Sequence, residues 1–110
     1  MSYEIIATAR FRRDIKRLAK KYPSLKKEYA LFLGALEENP QLQGTQLGNS
    51  CYKIRIAIAS KGKGKSGGAR IITYIVIAEK EVFLLTIYDK SEKENITDKE
   101  LRELLDQLSE

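Results

Sequence analysis

The 110-residue sequence has no histidine, no tryptophan and a single cysteine, Cys51. A nucleophilic cysteine needs a neighbouring base such as histidine, so Cys51 is predicted to be a packed thiol. One cysteine without histidine also argues against a metal site, and neither a metal nor any other cofactor is expected. A lone cysteine cannot form an internal disulfide, so nothing in the sequence calls for an oxidising compartment.

Long apolar segments are missing as well. No apolar run approaches the roughly 20 residues that a membrane span requires. Arg10, Arg12 and Arg13 interrupt the stretch in which a signal peptide would need apolar residues. The length and the apolar fraction of 43% are typical of one globular domain, spanning residues 1–110. We therefore expect a single cytoplasmic domain with no membrane partner.

Charge is distributed unevenly along the chain. Residues 1–70 contain 15 basic and 5 acidic residues, a net charge of +10, whereas residues 71–110 contain 5 basic and 10 acidic residues, a net charge of −5. This asymmetry favours a polyanionic partner for the first part of the chain. For the charges on predicted helices, a solvated surface is the alternative.

Hydrophobic periodicity predicts an α+β domain of order β-α-α-β-β-β-α. Its sheet is mainly antiparallel, an N-terminal helical hairpin packs on one face, and a short C-terminal helix follows. Thr8 and Ser24 are expected to cap the first two helices, and Thr97 with Glu100 fits a capping box. The predicted segments are strands over 3–7, about 51–60, 69–78 and 81–88; helices from Thr8 to about Lys21, from Ser24 to Asn39 and from Thr97 to Ser109; and a polar loop over 41–49.

The strand that begins at Cys51 has one apolar and one cationic face. Alternation places Tyr52, Ile54, Ile56 and Ile58 on one side and Lys53 and Arg55 on the other. The helices should cover the isoleucine face, which leaves the cationic face partly open to solvent or ligand. If the next strand pairs as a hairpin, Arg70 can join the two cations there. The cluster predicts a site for a phosphate-rich partner, with an ordinary solvated face as the alternative.

A glycine-lysine segment, 61–68, connects these two strands. Gly64-Lys65-Ser66 is part of a P-loop motif, but Ala59 stands where that motif needs its first glycine, and a strand follows instead of a helix. The segment is better interpreted as a flexible basic loop. Lys61, Lys63 and Lys65 would contact backbone phosphates, with a mobile solvated hairpin tip as the alternative.

Tyr88 ends the last predicted strand. Alternation places it on the same face as Val82, Leu84 and Thr86. A tyrosine at a strand end usually serves packing. Beside a cationic cluster it could instead stack on a nucleic-acid base or exchange a proton.

Several segments together resemble the RelE/ParE superfamily of bacterial toxins, with the HigB- and RelE-like branch as the nearest. They are the helical hairpin, the run from Leu47 to Arg55, GKSGGARIITY and LLTIYDKSEKENIT, so the resemblance covers nearly the whole chain. It implies the toxin of a type II toxin–antitoxin system, a ribosome-dependent endoribonuclease that cleaves mRNA and inhibits translation. The implied partners are a cognate antitoxin, the ribosome and mRNA, and operator DNA only through the antitoxin complex.

The resemblance also implies site residues. Lys53, Arg55, Arg70 and Tyr88 would be catalytic, and Lys90 would contact RNA. The two arginines could stabilise the charge of a phosphorane, and Lys53 could act as the base. Some relatives place a histidine near the chain end, and its absence here excludes a histidine-based scheme. The antitoxin would be an acidic or amphipathic peptide that neutralises this face or displaces the last helix.

Two alternatives from other functional classes remain open at the level of sequence. A ParE-like inhibitor of DNA gyrase shares the fold but binds a protein and cuts nothing. A catalytically silent nucleic-acid-binding domain would bind with steep salt dependence and leave its ligand intact. The aligned cations favour the RNA-cleaving toxin, because a protein-binding inhibitor needs no phosphate site.

Overall fold

A computed structural model describes residues 3–41, 44–61 and 67–108. The elements are β1 (Glu4–Ala7), α1 (Ala9–Lys21), α2 (Leu25–Glu38), β2 (Thr45–Gly48), β3 (Cys51–Ile56), a 3-10 turn (Ala59–Lys61), β4 (Ala69–Val76), β5 (Glu81–Asp89) and α3 (Asp98–Leu108). The five strands form one sheet in the order β1-β5-β4-β3-β2; β1 and β5 are parallel and the other neighbours antiparallel. The predicted α+β fold is confirmed. Among the helices in the described ranges, none combines the length and the apolar character that a membrane span needs.

The helix boundaries follow the predicted signals. Thr8 Oγ1 accepts a hydrogen bond from the Phe11 amide at 3.1 Å, which caps α1 as predicted. Ser24 is the N-cap residue of α2 as predicted, but its side chain makes no capping hydrogen bond to the helix. Its hydroxyl instead donates to Glu28 at 3.0 Å and accepts from the Ser60 amide at 3.0 Å. Ser24 thereby ties the start of α2 to the 3-10 turn.

The main core lies between the sheet and the helical hairpin, on the isoleucine face as predicted. Burial of such apolar side chains is the dominant favourable contribution to folding. A second cluster occupies the opposite face of the sheet. There α3 covers part of the surface that was predicted to be open to solvent or ligand. The main core contains Phe11, Leu18, Leu25, Leu36, Ile54, Ile56, Ile71, Val82, Leu84 and Ile87, and the second cluster contains Cys51, Ile72, Leu85, Tyr88, Leu101 and Leu104.

Part of the predicted polar loop is the edge strand β2, which pairs with β3. Its residues are mostly exposed, so the hydrophobic pattern that marks a strand is absent. The neighbouring strand β3 ends at Ile56, earlier than predicted. The chain then turns toward α2, where the Ala59 amide donates to Glu28 Oε2 at 2.6 Å.

A β-bulge changes the alternation along β5. Ile72 pairs with Thr86 and Thr73 with Leu84, so Leu85 is an extra residue without an opposite partner. Ile87 therefore lies with Leu84 in the main core, and Tyr88 lies in the second cluster. The prediction that Tyr88 shares a face with Val82 and Leu84 is wrong, because simple alternation does not hold across a bulge.

Candidate functional site

Three candidate site residues form one row across the sheet. Arg55 on β3 pairs with Arg70 on β4, and Arg70 pairs with Tyr88 on β5. Lys53 precedes Arg55 by two residues and belongs to the same face of β3. The sheet register therefore brings together four residues that are separated by up to 35 positions in the sequence.

Arg70 is the buried member of this row, with only 3% of its surface exposed. Its Nη1 donates to the Ala69 carbonyl at 3.1 Å. Burial and the neighbouring charge of Arg55 lower the pKa of Arg70, while Tyr88 acts in the opposite direction. An arginine remains charged at physiological pH even so. The site thus holds a desolvated guanidinium facing a second one.

A cavity of about 170 Å³ lies at this cluster, which we call the cationic pocket. Lys53 Nζ donates to Asn95 Oδ1 at 3.2 Å, so the segment between β5 and α3 reaches the pocket. Four cations around one small cavity suit an anionic group such as a phosphate, because guanidinium groups bind phosphate oxygens through paired hydrogen bonds. The lining residues are Lys53, Arg55, Arg70, Lys90, Glu94 and Asn95.

Tyr88 is 7% exposed and lines a larger cleft of about 470 Å³ between α1 and α3. Burial raises the pKa of the Tyr88 phenol, and the positive charge of Arg70 opposes that effect. Lys93 Nζ lies 5.8 Å from the centre of the Tyr88 ring. Tyr88 is therefore placed beside the cations, in a cleft whose walls carry charges of both signs.

The remaining predicted RNA contacts are placed differently. Lys90 lines the cationic pocket, and its amide donates to the Gly68 carbonyl at 3.1 Å. Lys61 does not project from a basic loop: its side chain is 7% exposed and forms an ion pair with Asp89 at 2.5 Å. The interpretation of Lys61 as a phosphate contact is corrected accordingly, since its charge is already matched inside the protein. Lys63 and Lys65 lie outside the described residues.

Asp89 is a residue that the sequence analysis missed. It is fully buried and accepts hydrogen bonds from Tyr22 and Lys61 at 2.5 Å each. Burial alone would raise the pKa of Asp89, but the hydrogen bonds from Lys61, Tyr22 and Ser91 outweigh it and hold the pKa well below its usual range. Alternation along the sequence could not find it, because alternation from Val82 and Leu84 places Asp89 on the opposite face, and only the bulge at Leu85 turns Asp89 toward the helical hairpin.

No metal centre is evident in the parts of the chain that the structure describes. Residues 3–41, 44–61 and 67–108 contain no group of three or more aspartate, glutamate or cysteine side chains that could hold an ion.

A protein-family model described as the RelE toxin of the RelE/RelB toxin–antitoxin system matches residues 9–109. Solved structures share the fold. The isolated E. coli RelE toxin is 16% identical, with 97% of this chain and 99% of that chain covered and a TM-score of 0.58. RelE in the intact E. coli RelBE toxin–antitoxin complex is 17% identical, with 80% and 96% covered and a TM-score of 0.60.

The Mycobacterium tuberculosis toxin–antitoxin complex RelBE2 provides a further match, 21% identical, with 81% of this chain and 99% of that chain covered and a TM-score of 0.59. At sequence identities this low, the similarity to each solved structure shows a shared fold only. The family match, by contrast, rests on the sequence and spans nearly the whole chain.

Proposed function

The chain belongs to the RelE toxin family of type II toxin–antitoxin systems, and we propose that it acts as an endoribonuclease that cleaves mRNA on the ribosome. The observation that carries this proposal is the convergence of Lys53, Arg55, Arg70 and Lys90 on one pocket, with Tyr88 next to Arg70 in the same row. A fold alone does not define a function, so the proposal depends on this site.

The proposed reaction uses the RNA's own 2′-hydroxyl. Its oxygen attacks the adjacent phosphorus, the O2′–P bond forms, and the P–O5′ bond breaks. The products are a 2′,3′-cyclic phosphate and a 5′-hydroxyl end. One proton leaves the 2′-hydroxyl and one is delivered to O5′, so the step needs a proton acceptor, a donor and stabilisation of the negative phosphorane.

The cationic pocket meets these needs with few groups. Arg55 and Arg70 face each other across β3 and β4, so both guanidiniums can hold phosphate oxygens. Lys53, in its neutral form, is the proposed proton acceptor, because its side chain lines the pocket beside the two arginines and its amine bonds Asn95 there. Tyr88 is 7% exposed beneath α3, so a movement of α3 would have to uncover it before it could stack on a base or deliver a proton to the leaving oxygen.

The proposed partners follow from the family. RelE toxins of E. coli and M. tuberculosis are found in complexes with antitoxins. We propose that this chain likewise binds a cognate antitoxin, acts on mRNA in the ribosome within the cytoplasm, and meets operator DNA only through the antitoxin complex. The excess of basic residues in positions 1–70 supports binding to an acidic antitoxin peptide and also to an RNA-rich partner such as the ribosome.

The test is to induce the protein in bacteria and map new mRNA 5′ ends. Lys53→Met and Arg55→Gln are compared with Lys27→Met, which changes the charge equally on the exposed surface of α2. Codon-phased cuts that carry a 5′-hydroxyl and require active translation are expected for the wild type and for Lys27→Met. Each site variant should cut about 10²-fold less efficiently.

Other outcomes contradict the proposal in distinct ways. Growth arrest with intact mRNA and a DNA-damage response would indicate gyrase inhibition. Binding of RNA with steep salt dependence but without cleavage would indicate a silent binding domain. Equal cutting by folded site variants and wild type would show that the cationic pocket is not the active site.

A further inference from the structure

Asp89 is a fully buried charge with several hydrogen-bond donors around it, and the proposed reaction does not use it. Its two carboxylate oxygens are divided between partners. Oδ2 accepts from Tyr22 Oη at 2.5 Å, and Oδ1 accepts from Lys61 Nζ at 2.5 Å, from Ser91 Oγ at 2.8 Å and from the Ser91 amide at 3.0 Å. A buried carboxylate with four donors has one well-defined orientation.

Lys61 is held as firmly as its partner. It ends the 3-10 turn, and its amide donates to the Ile58 carbonyl at 2.9 Å. The turn is joined to α2 through Ser24 and Glu28, which accept from the Ser60 and Ala59 amides. The Lys61 ammonium also lies 5.4 Å from the centre of the Tyr22 ring. The ion pair therefore connects β5 to the turn between α1 and α2, where α1 ends and α2 begins.

This ion pair lies directly beside the candidate site. Ile56, Ala69 and Asp89 form the row next to Arg55, Arg70 and Tyr88 in the sheet register. Asp89 points toward Tyr22 and the helical hairpin, while Tyr88 lies in the cluster under α3. A shift of Asp89 would therefore move the backbone of Tyr88.

The backbone of Asp89 also begins the segment that reaches the cationic pocket. Its carbonyl accepts from the Glu92 amide at 3.0 Å and from the Lys93 amide at 3.1 Å. The turn formed in this way leads to Asn95, which contacts Lys53. One buried residue thus fixes the strand end that carries Tyr88 and the start of the segment that contacts Lys53.

We propose that Asp89 and Lys61 form a positioning pair, which holds Tyr88 and the Lys53–Asn95 contact in the geometry that the site requires. This inference rests on the proposed function, which says what the site does. A buried ion pair gives little net stability compared with well-packed neutral groups, but it can restrict the fold to a single local arrangement. The pair touches no substrate in this scheme and acts through its neighbours.

The test compares four variants in a reconstituted translation system. Asp89→Asn and Lys61→Met each break the pair, Asp89→Asn with Lys61→Met leaves a neutral pair of similar volume, and Lys61→Arg keeps both charges. Glu92→Gln is the matched control, because it removes the exposed Arg17–Glu92 ion pair from the same turn. Single-turnover cleavage at saturating ribosomes and ribosome affinity are measured separately, and circular dichroism verifies folding.

A positioning role predicts a specific pattern. Breaking the pair should lower the single-turnover rate about 10-fold or more, because a small misplacement of reacting groups is costly. Ribosome affinity should change by less than about twofold, since the lost contribution is to the transition state. The double variant should be no slower than the slower single variant, because the two residues act as a unit. Lys61→Arg and Glu92→Gln should cleave at nearly the wild-type rate.

A second measurement, independent of cleavage, separates this inference from the proposed function. With ¹³Cζ-labelled tyrosine, the Tyr88 resonance should move in the neutral double variant and stay in place in Glu92→Gln. Wild-type protein that cuts no mRNA, with that Tyr88 shift present, would overturn the function and support the positioning role. A folded double variant with wild-type cleavage and an unchanged Tyr88 resonance would overturn the positioning role.

Discussion

Arg55 and Arg70 lie directly opposite each other on neighbouring antiparallel strands. Like charges in this position destabilise a sheet. The pair also includes a buried guanidinium, whose pKa is lowered by burial and by Arg55. An anion bound between the two side chains would remove the repulsion. The arrangement is therefore unfavourable for the free protein and favourable for a phosphate complex, a trade-off that is common at functional sites.

Arg55→Gln should stabilise the free protein while it impairs cleavage. Loss of the repulsion should raise the free energy of unfolding by about 0.5 kcal/mol, and loss of one phosphate contact should lower the cleavage rate about 10²-fold. Urea unfolding and single-turnover cleavage measure the two effects. Lys27→Gln on α2 is the control and should change neither. A destabilised Arg55→Gln protein would show that the repulsion is already relieved in the free state.

Gly68 should tolerate no side chain, whereas Gly34 should. A Cβ on Gly68 would lie 2.0 Å from the Ile56 carbonyl oxygen, and a Cβ on Gly34 would have no atom within 4 Å. Gly68→Ala should therefore cost about 1–3 kcal/mol of unfolding free energy or more. Gly34→Ala, within α2, should add roughly 0.5–1 kcal/mol. Equal stabilities in urea unfolding would contradict the close approach of β3 and Gly68.

Most of the fold is predictable from local sequence, because its helices and central strands are strongly patterned. Thr8 and the Thr97–Glu100 box mark two helix starts, and the isoleucines of β3 identify the covered face correctly. The edge strand β2 is not predictable in this way, since an exposed strand needs no apolar alternation. Nor is the bulge at Leu85, which depends on how β4 and β5 pair rather than on either sequence alone.

The candidate site shows the same division. Lys53 and Arg55 are found from alternation on one strand, and Arg70 follows once a hairpin is assumed. The role of Lys61 is not predictable, because its partner Asp89 is 28 residues away and the contact depends on tertiary packing. Lysine in a glycine-rich segment is usually exposed, and only the buried position of Asp89 changes that expectation.

Cys51 should be unreactive in the folded protein. It is fully buried, and burial raises the pKa of its thiol to about 11. The thiolate is the reactive form, so modification by a disulfide reagent at pH 8 should occur only after unfolding. Because the pKa of the Cys51 thiol is higher in the folded protein, its contribution to the free energy of unfolding is complete below the ordinary thiol pKa of about 9. That contribution declines as the pH rises toward 11. Rapid modification of the native protein at pH 8 would contradict this placement.

Thr97→Ala should loosen α3 without unfolding the sheet. The Glu100 amide donates to Thr97 Oγ1 at 3.1 Å and the Thr97 amide to Glu100 Oε1 at 3.0 Å, and Lys93 also bonds Glu100. Removing the cap should cost about 1 kcal/mol. Faster amide exchange should be confined to α3, and the Tyr88 phenol, whose pKa burial raises, should titrate closer to 10. Glu103→Ala on the same helix is the control and should change neither measurement.

The same cap should make α3 sensitive to acid. The hydrogen bonds from Lys93 and from the Thr97 amide lower the pKa of Glu100 to about 2, compared with an ordinary value of 4.5. Because the pKa of Glu100 is lower in the folded protein, the stabilising contribution of its carboxylate is complete above pH 4.5 and is lost as the pH falls toward 2. Glu100→Gln cannot lose a charge in that range, so its α3 amide exchange, corrected for intrinsic rates, should vary less between pH 5 and pH 3 than that of the wild type. If both proteins show the same pH dependence, the acid sensitivity of α3 arises from other carboxylates. The buried Asp89 is the first of these to test.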